Sequence, residues 1–219
     1  MKKIILIAII ILLFVLIIIF IQNNYKIEIF GNNMSSKSCE DLQKYILNMS
    51  AYSAIIDVTI SSNKTTNQYQ LKQRYSDGQY YQEVIEPNTI RGTVITYNGK
   101  DLKIENSNLN LSKIYENYKY IASNQLSLQD FIEDYKSSSD ASLKEEENQI
   151  ILETTVKNES RYLAKKTLYV DKKTQKPTKL EIRDNTQNIS VYILYNEIEM
   201  NPLQKNDILA FKLQSWKEI

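Results

Sequence analysis

From residue 52 to residue 104 the apolar residues return at every second position, run after run. That period belongs to strands with one buried face, and it commits the chain to a sheet. In the first run Tyr52, Ala54, Ile56, Val58 and Ile60 share one side, with Ser53, Asp57, Thr59 and Ser61 opposite. After the polar turn at residues 61–64, Tyr69, Leu71 and Tyr75 continue the pattern. Residues 80–85 form a further run, closed by Pro87, which has no ladder donor. Two more runs flank Asn98-Gly99, a pair that tolerates the positive φ angles of a type I′ turn; a two-residue hairpin is expected there. The expectation is an antiparallel meander.

The start of the chain is of a different kind. Lys2 and Lys3 precede an unbroken apolar run, residues 4–21. As a helix rising about 1.5 Å per residue it spans roughly 27 Å, close to the hydrocarbon thickness of a bilayer. No small-residue cleavage site follows it, which favours an uncleaved signal anchor over a cleaved signal peptide. The two lysines stay in the cytoplasm by the positive-inside bias, so the bulk of the protein is expected outside the membrane. The resulting division is an anchor at 1–21, a spacer at 22–37, one domain at 38–203 and a tail at 204–219.

Composition removes several function classes. The formal net charge is +1 over 219 residues, and Lys2 and Lys3 belong to the anchor, so no nucleic-acid partner is indicated. There is no histidine and one cysteine, Cys39. Zinc, copper and haem sites are disfavoured, no cofactor is expected, and Ser-His or Cys-His nucleophile pairs cannot be built. No acidic pair stands out from the solvated faces, so no catalytic residue is assigned and the chain reads as a non-enzyme. Tyrosine is abundant at 16 against 5 Phe, which suits half-wet strands; an AT-rich genome accounts for it equally well.

Helices are expected on either side of the first strands. Ser38 and Asp41 have the spacing of a capping box, before a stripe of Cys39, Leu42, Tyr45, Ile46 and Met49. Cys39 reads as a packed helix residue rather than a lipidation site, since Ser36 fills the place where a lipobox needs an aliphatic residue. Asn110 reads as the N-cap of a helix carrying Leu111, Ile114, Tyr115, Tyr118, Ile121 and Ala122. Ser127 and Asp130 repeat the capping-box spacing before Leu128, Phe131, Ile132 and Tyr135. Residues 137–148 read as a solvated link. Strands resume at residues 149–157, 163–170, 178–183 and 189–199, where Asn201-Pro202 ends the last one. Trp216, in the tail, reads as cover for a sheet edge.

Helix, meander, helices and second meander make an α+β pattern. At three places the residues resemble a known family: Met49-Ser-Ala-Tyr52; the run from Tyr80 to Pro87 with Asn98-Gly99 after it; and the run from Leu168 to Leu180. These look like the LolA/LolB outer-membrane lipoprotein carrier superfamily, and within it most like the clostridial germination lipoprotein GerS and its relatives. The resemblance covers roughly residues 39–203. It implies a strongly curved antiparallel sheet, an incomplete β-barrel whose concave face is covered by helices, here preceded by one transmembrane helix.

Two functions follow from the resemblance. Germination relatives bind and activate a spore-cortex amidase, which implies a binding protein tethered outside the membrane with a cell-wall or cortex amidase as partner, in sporulation or germination. Carrier members hold acyl chains, which implies a lipid or lipoprotein carrier with Tyr52, Ile56, Val58, Tyr69 and Leu71 lining an apolar concave face. An ordinary packed core is the simpler reading of those five residues. An unclosed sheet also leaves edge strands, through which a homodimer could form.

Overall fold

The computed structural model describes residues 38–62, 64–118, 125–160 and 162–201. Helix α1 (Cys39–Leu47) opens the domain, followed by strands β1 (Ala51–Ser61), β2 (Thr66–Ser76), β3 (Gln79–Glu86), β4 (Val94–Tyr97), β5 (Leu102–Asn106) and β6 (Leu111–Tyr115). Helix α2 (Leu128–Ser137) leads into β7 (Ser142–Glu145), β8 (Gln149–Ser160), β9 (Leu163–Asp171), β10 (Pro177–Arg183) and β11 (Ile189–Met200). All the strands join one antiparallel sheet in the order β6-β5-β4-β3-β2-β1-β11-β10-β9-β8-β7. It is curved and does not close into a barrel. No helix among the described residues is long and apolar enough to cross a membrane; the expected anchor at 4–21, the spacer and the tail lie outside those residues.

The two meanders meet at β1, which pairs with β2 on one side and β11 on the other. Asn201 fastens that seam. Its amide N–H donates to the Ala51 carbonyl at 2.8 Å, and its Oδ1 accepts from the Ser50 N–H at 3.0 Å. The alternation read in β1 is the burial found: Tyr52, Ala54, Ile56 and Val58 are buried, with half-exposed residues between them. They meet Leu42 and Ile46 of α1 and Leu128, Phe131 and Ile132 of α2 in one core. Full burial of such side chains stabilises by about 1.5–3 kcal/mol each, so the helices are held chiefly by this face. Ser38 caps α1, accepting from the Asp41 N–H as its spacing predicts. Cys39 is half-exposed at the rim of the core.

Four expectations need correction. Residues 111–115 form strand β6, paired with β5 from Leu102↔Tyr115 to Asn106↔Leu111, and Asn110 stands at φ +49° as a left-handed turn residue instead of a helix cap. Strand pairing overrides the helical apolar spacing over these residues. Ile121 and Ala122 lie outside the described residues. The solvated link contains β7, added to the sheet beside β8. The hairpin at Asn98-Gly99 has a four-residue loop: Tyr97 pairs with Leu102, and Asn98 Oδ1 accepts from the Lys100 and Asp101 N–H groups at 2.9 and 2.7 Å. The two-residue turn with both central φ angles positive lies at Asp77-Gly78 (φ +47° and +78°), joining Ser76 to its partner Gln79. Finally, Ser127 does cap α2, but it accepts from Gln129, and the Asp130 carboxylate does not turn back to the cap.

Candidate functional site

Beyond β3 the sheet is a single layer among the described residues. The register carries the helix-facing side of β1 outward as the row Tyr75, Tyr80, Tyr97, Leu102, Tyr115, with Gln73, Gln82, Ile95, Ile104, Lys113 beside it. Tyr75 and Tyr80 lie against or in covered parts of the sheet, whereas every residue of β4 and Leu102 to Glu105 of β5 are half-exposed. No described helix or strand closes over either face of this extension.

It ends in β6, which has one neighbour among the described residues. Leu109 is 53%, Leu111 41% and Ile114 50% exposed. Leu111 points to the helix side and Ile114 to the outer side, so apolar groups flank the free backbone edge above and below. Asn106 holds the approach rigid. Buried at the end of β5, it donates from Nδ2 to the Arg91 carbonyl at 3.2 Å and to Thr93 Oγ1 at 2.7 Å, and accepts from the Leu109 N–H at 3.1 Å. Asp101 fixes the far end by accepting from the Asn117 N–H at 2.8 Å.

A free edge with apolar flanks is the geometry to which an extended segment of another chain adds as a further strand. The opposite edge is different. Strand β7 has four residues, and Lys144 and Glu145 are tied to Glu153 and Lys172, each at 2.7 Å. Short, charged edges are the usual protection against such pairing.

The residues expected to line an apolar concave face are packed together by the β1–β2 register, Ile56 beside Leu71 and Val58 beside Tyr69. Tyr52, Ile56, Val58 and Leu71 lie in the core under the helices, with Tyr69 against its margin. A polar chain runs through the same face. The Tyr52 hydroxyl donates to Gln73 at 3.1 Å, accepts from the Leu128 N–H and lies 3.3 Å from Ser127 Oγ. Gln73 passes a bond to Gln82 at 3.1 Å, which also accepts from the Tyr80 hydroxyl. Burial pushes the Tyr52 hydroxyl up to about 12.

Under α2 sits an ionic cluster that the sequence did not announce. Lys166, on the inner side of β9, donates to Asp130 and, at 2.6 Å, to Asp134; all three side chains are at most 4% exposed. Burial raises the Asp130 carboxyl, against the pull of Lys166, and its Oδ1 has no partner. The spacing of Asp130 and Asp134, four apart on one helix face, was the available signal. Shut from solvent, this pair clamps α2 to the sheet and offers no carboxylate to a substrate. Among the described residues no group of three or more metal-ligating side chains comes together. The Cys39 thiol is pushed up, first by its hydrogen bond with Glu145, which keeps it from being a ready nucleophile.

Comparison with known proteins accords with the resemblance read in the sequence. The structure of the CwlD amidase from Clostridioides difficile in complex with the GerS lipoprotein matches at 28% identity, over 73% of this chain and 92% of that one, with a TM-score of 0.48. An uncharacterized conserved protein from Thermus thermophilus shares the fold at 11% identity, over 79% and 93% of the two chains, with a TM-score of 0.51. The LolA superfamily protein NE2245 from Nitrosomonas europaea matches at 11% identity, over 78% and 96%, with a TM-score of 0.41. No curated protein matches the chain. The family model of YdcC-like sporulation proteins matches residues 2–209, nearly the whole sequence, and the chain belongs to that family.

Proposed function

We propose that this protein is a non-enzymatic binding partner, tethered outside the membrane by its N-terminal helix, that activates or stabilises a spore-cortex or cell-wall amidase. The observation that carries the binding role is the β6 edge: an unprotected strand with Leu111 and Ile114 exposed on its two sides, at the end of a single-layer extension. Membership of a sporulation family sets the setting. The partner class comes from the sequence resemblance to the germination lipoproteins, whose member GerS has been solved in complex with an amidase. A chain without histidine and with its buried carboxylates locked by Lys166 favours binding over chemistry.

The test is to mix the detergent-solubilised chain with the cortex amidase of the same organism. The chain alone hydrolyses nothing; together, amidase activity rises and so does the melting temperature of each protein, because a ligand that binds the folded state stabilises it reciprocally. Unchanged activity with no melting shift removes that partner. Stoichiometric acyl lipid in the purified protein transfers the reading to a lipid carrier, and a concentration-dependent mass with the amidase absent assigns the edge to a homodimer.

A further inference from the structure

The outer face of the sheet carries charge in abundance, and almost everywhere that charge is paired. Lys144 and Lys165 flank Glu153, Lys179 and Arg183 flank Glu181, and Lys103 meets Glu105. One region breaks the pattern. Over β1 lies an open groove of about 700 Å³. Its floor includes Ser53 and Ile55, its one wall Lys72 and Arg74 of β2, its other Glu197 and Glu199 of β11. The register sets these in two parallel rows across three strands, Arg74–Ser53–Glu199 and Lys72–Ile55–Glu197.

Strands lie about 4.8 Å apart, so the backbones bearing the cations and those bearing the carboxylates are about 10 Å apart, with uncharged β1 residues between them. No ion pair among the described residues engages any of the four. Glu83, opposite Lys72 on β3, accepts from the Tyr81 hydroxyl instead. Arg74 Nε is buried from solvent with no partner. Asn196 at the β11 bulge and the β9–β10 turn from Thr174 to Thr178, which brings a third cation, Lys176, also line the groove on the β11 side.

We propose that this groove receives an extended peptide segment of a partner protein, one that carries a carboxylate toward Lys72 and Arg74 and an ammonium or guanidinium toward Glu197 and Glu199. Charge complementarity names the occupant: a segment of one sign would meet repulsion at one wall, while a mixed segment satisfies both. An extended chain advances about 3.4 Å per residue and turns alternate side chains to opposite faces, so opposite charges two residues apart face the groove together, about 7 Å apart, and their long side chains reach the remaining distance to the two walls. The groove is open along its length and covers its occupant from one side, which suits a segment held at both ends by a larger protein better than a free small molecule. This surface is separate from the β6 edge.

The test measures equilibrium dialysis of ¹⁴C-acetylated Ac-Lys-Gly-Glu-NH₂ against the full chain in detergent, beside Ac-Lys-Gly-Lys-NH₂ and Ac-Glu-Gly-Glu-NH₂. The mixed peptide binds saturably and at least tenfold more tightly than either single-sign peptide. Lys72→Glu with Arg74→Glu, or Glu197→Lys with Glu199→Lys, lowers that affinity at least tenfold; all four together restore it, because the peptide reverses direction. Leu111→Lys leaves it unchanged, which separates this site from the amidase reading. The proposal is overturned by absence of saturable binding, by equal binding of the three peptides, or by indifference to the charge reversals.

Discussion

Replacing Lys166 by Met keeps the length and apolar stem of the side chain and removes one charge. In the native protein that ammonium is 1% exposed and answers two carboxylates, Asp130 and Asp134, which are 1% and 4% exposed. Without it, two like charges remain buried a helical turn apart. Breaking a buried ionic cluster in this way costs about 3–5 kcal/mol, a large part of the roughly 5–15 kcal/mol that holds a domain together. With a urea dependence of about 2 kcal/mol per molar, the unfolding midpoint falls by about 2 M at pH 7. The pH dependence identifies the cause. Asp130 is already raised in the native protein by burial, and a raised carboxyl stabilises the fold below its unfolded value and loses that contribution as pH climbs through its folded value. Removing Lys166 raises Asp130 further, so the penalty shrinks when the pH falls to about 4, where the unfolded carboxyl also binds a proton. Urea unfolding followed by circular dichroism at pH 7 and pH 4 reads both effects. A midpoint within about 0.3 M of the native protein at pH 7, or the same loss at both pH values, would refute the electrostatic account. Lys166→Met combined with Asp130→Leu and Asp134→Leu recovers most of the stability, as replaced buried clusters do.

Other expectations are independent of that cluster. Tyr52→Phe deletes the hydroxyl shared by Gln73, Ser127 and Leu128 and costs about 1–3 kcal/mol in urea unfolding, leaving buried groups unmatched. Because burial holds that hydroxyl at about 12, its contribution is complete below the ordinary tyrosine value near 10 and is lost as pH rises through 12; absorbance at 295 nm shows several tyrosines titrating late, Tyr81 and Tyr195 among them, and Tyr52→Phe lowers that late amplitude by one tyrosine. Gly78→Val destabilises more than Asn98→Gly in thermal melts, because the first forces a β-branched residue to φ +78° and the second loses one exposed and one half-buried side-chain bond. Val58→Pro removes a donor from the strand joining the two meanders, and the folded protein is not recovered on expression.

The parts of the fold legible in the sequence are those where one face is buried against one partner. Tyr52, Ala54, Ile56 and Val58 alternate because the helices cover one side of β1, and the later strands β8 to β11 are readable for the same reason. Strand β6 is not. With no described helix over it, its apolar residues need not alternate, and Leu111, Ile114 and Tyr115 fall by chance on a helical spacing. Asn98 and Asp77 show a second limit. Both precede glycine, yet Asn98 spends its side chain on the Lys100 and Asp101 amides while Asp77 takes the left-handed backbone of the tight turn. Local composition admits either. Lys166 sits among polar neighbours beside Lys165 and looks solvated until β9 is laid under α2. The groove is less visible still, since Arg74 and Glu199 are 125 residues apart in sequence and become neighbours only through β1.

The central claim, binding through the β6 edge, is tested most directly by placing Lys at both Leu111 and Ile114 and measuring amidase binding by calorimetry. Both side chains are exposed, at 41% and 50%, so the fold and its melting temperature stay as they are, within about 0.5 kcal/mol for surface substitutions. A charged edge resists an added strand. The account predicts that the native chain binds the cortex amidase and that the double variant loses at least tenfold in affinity while melting normally. Equal affinity in the two proteins would contradict it.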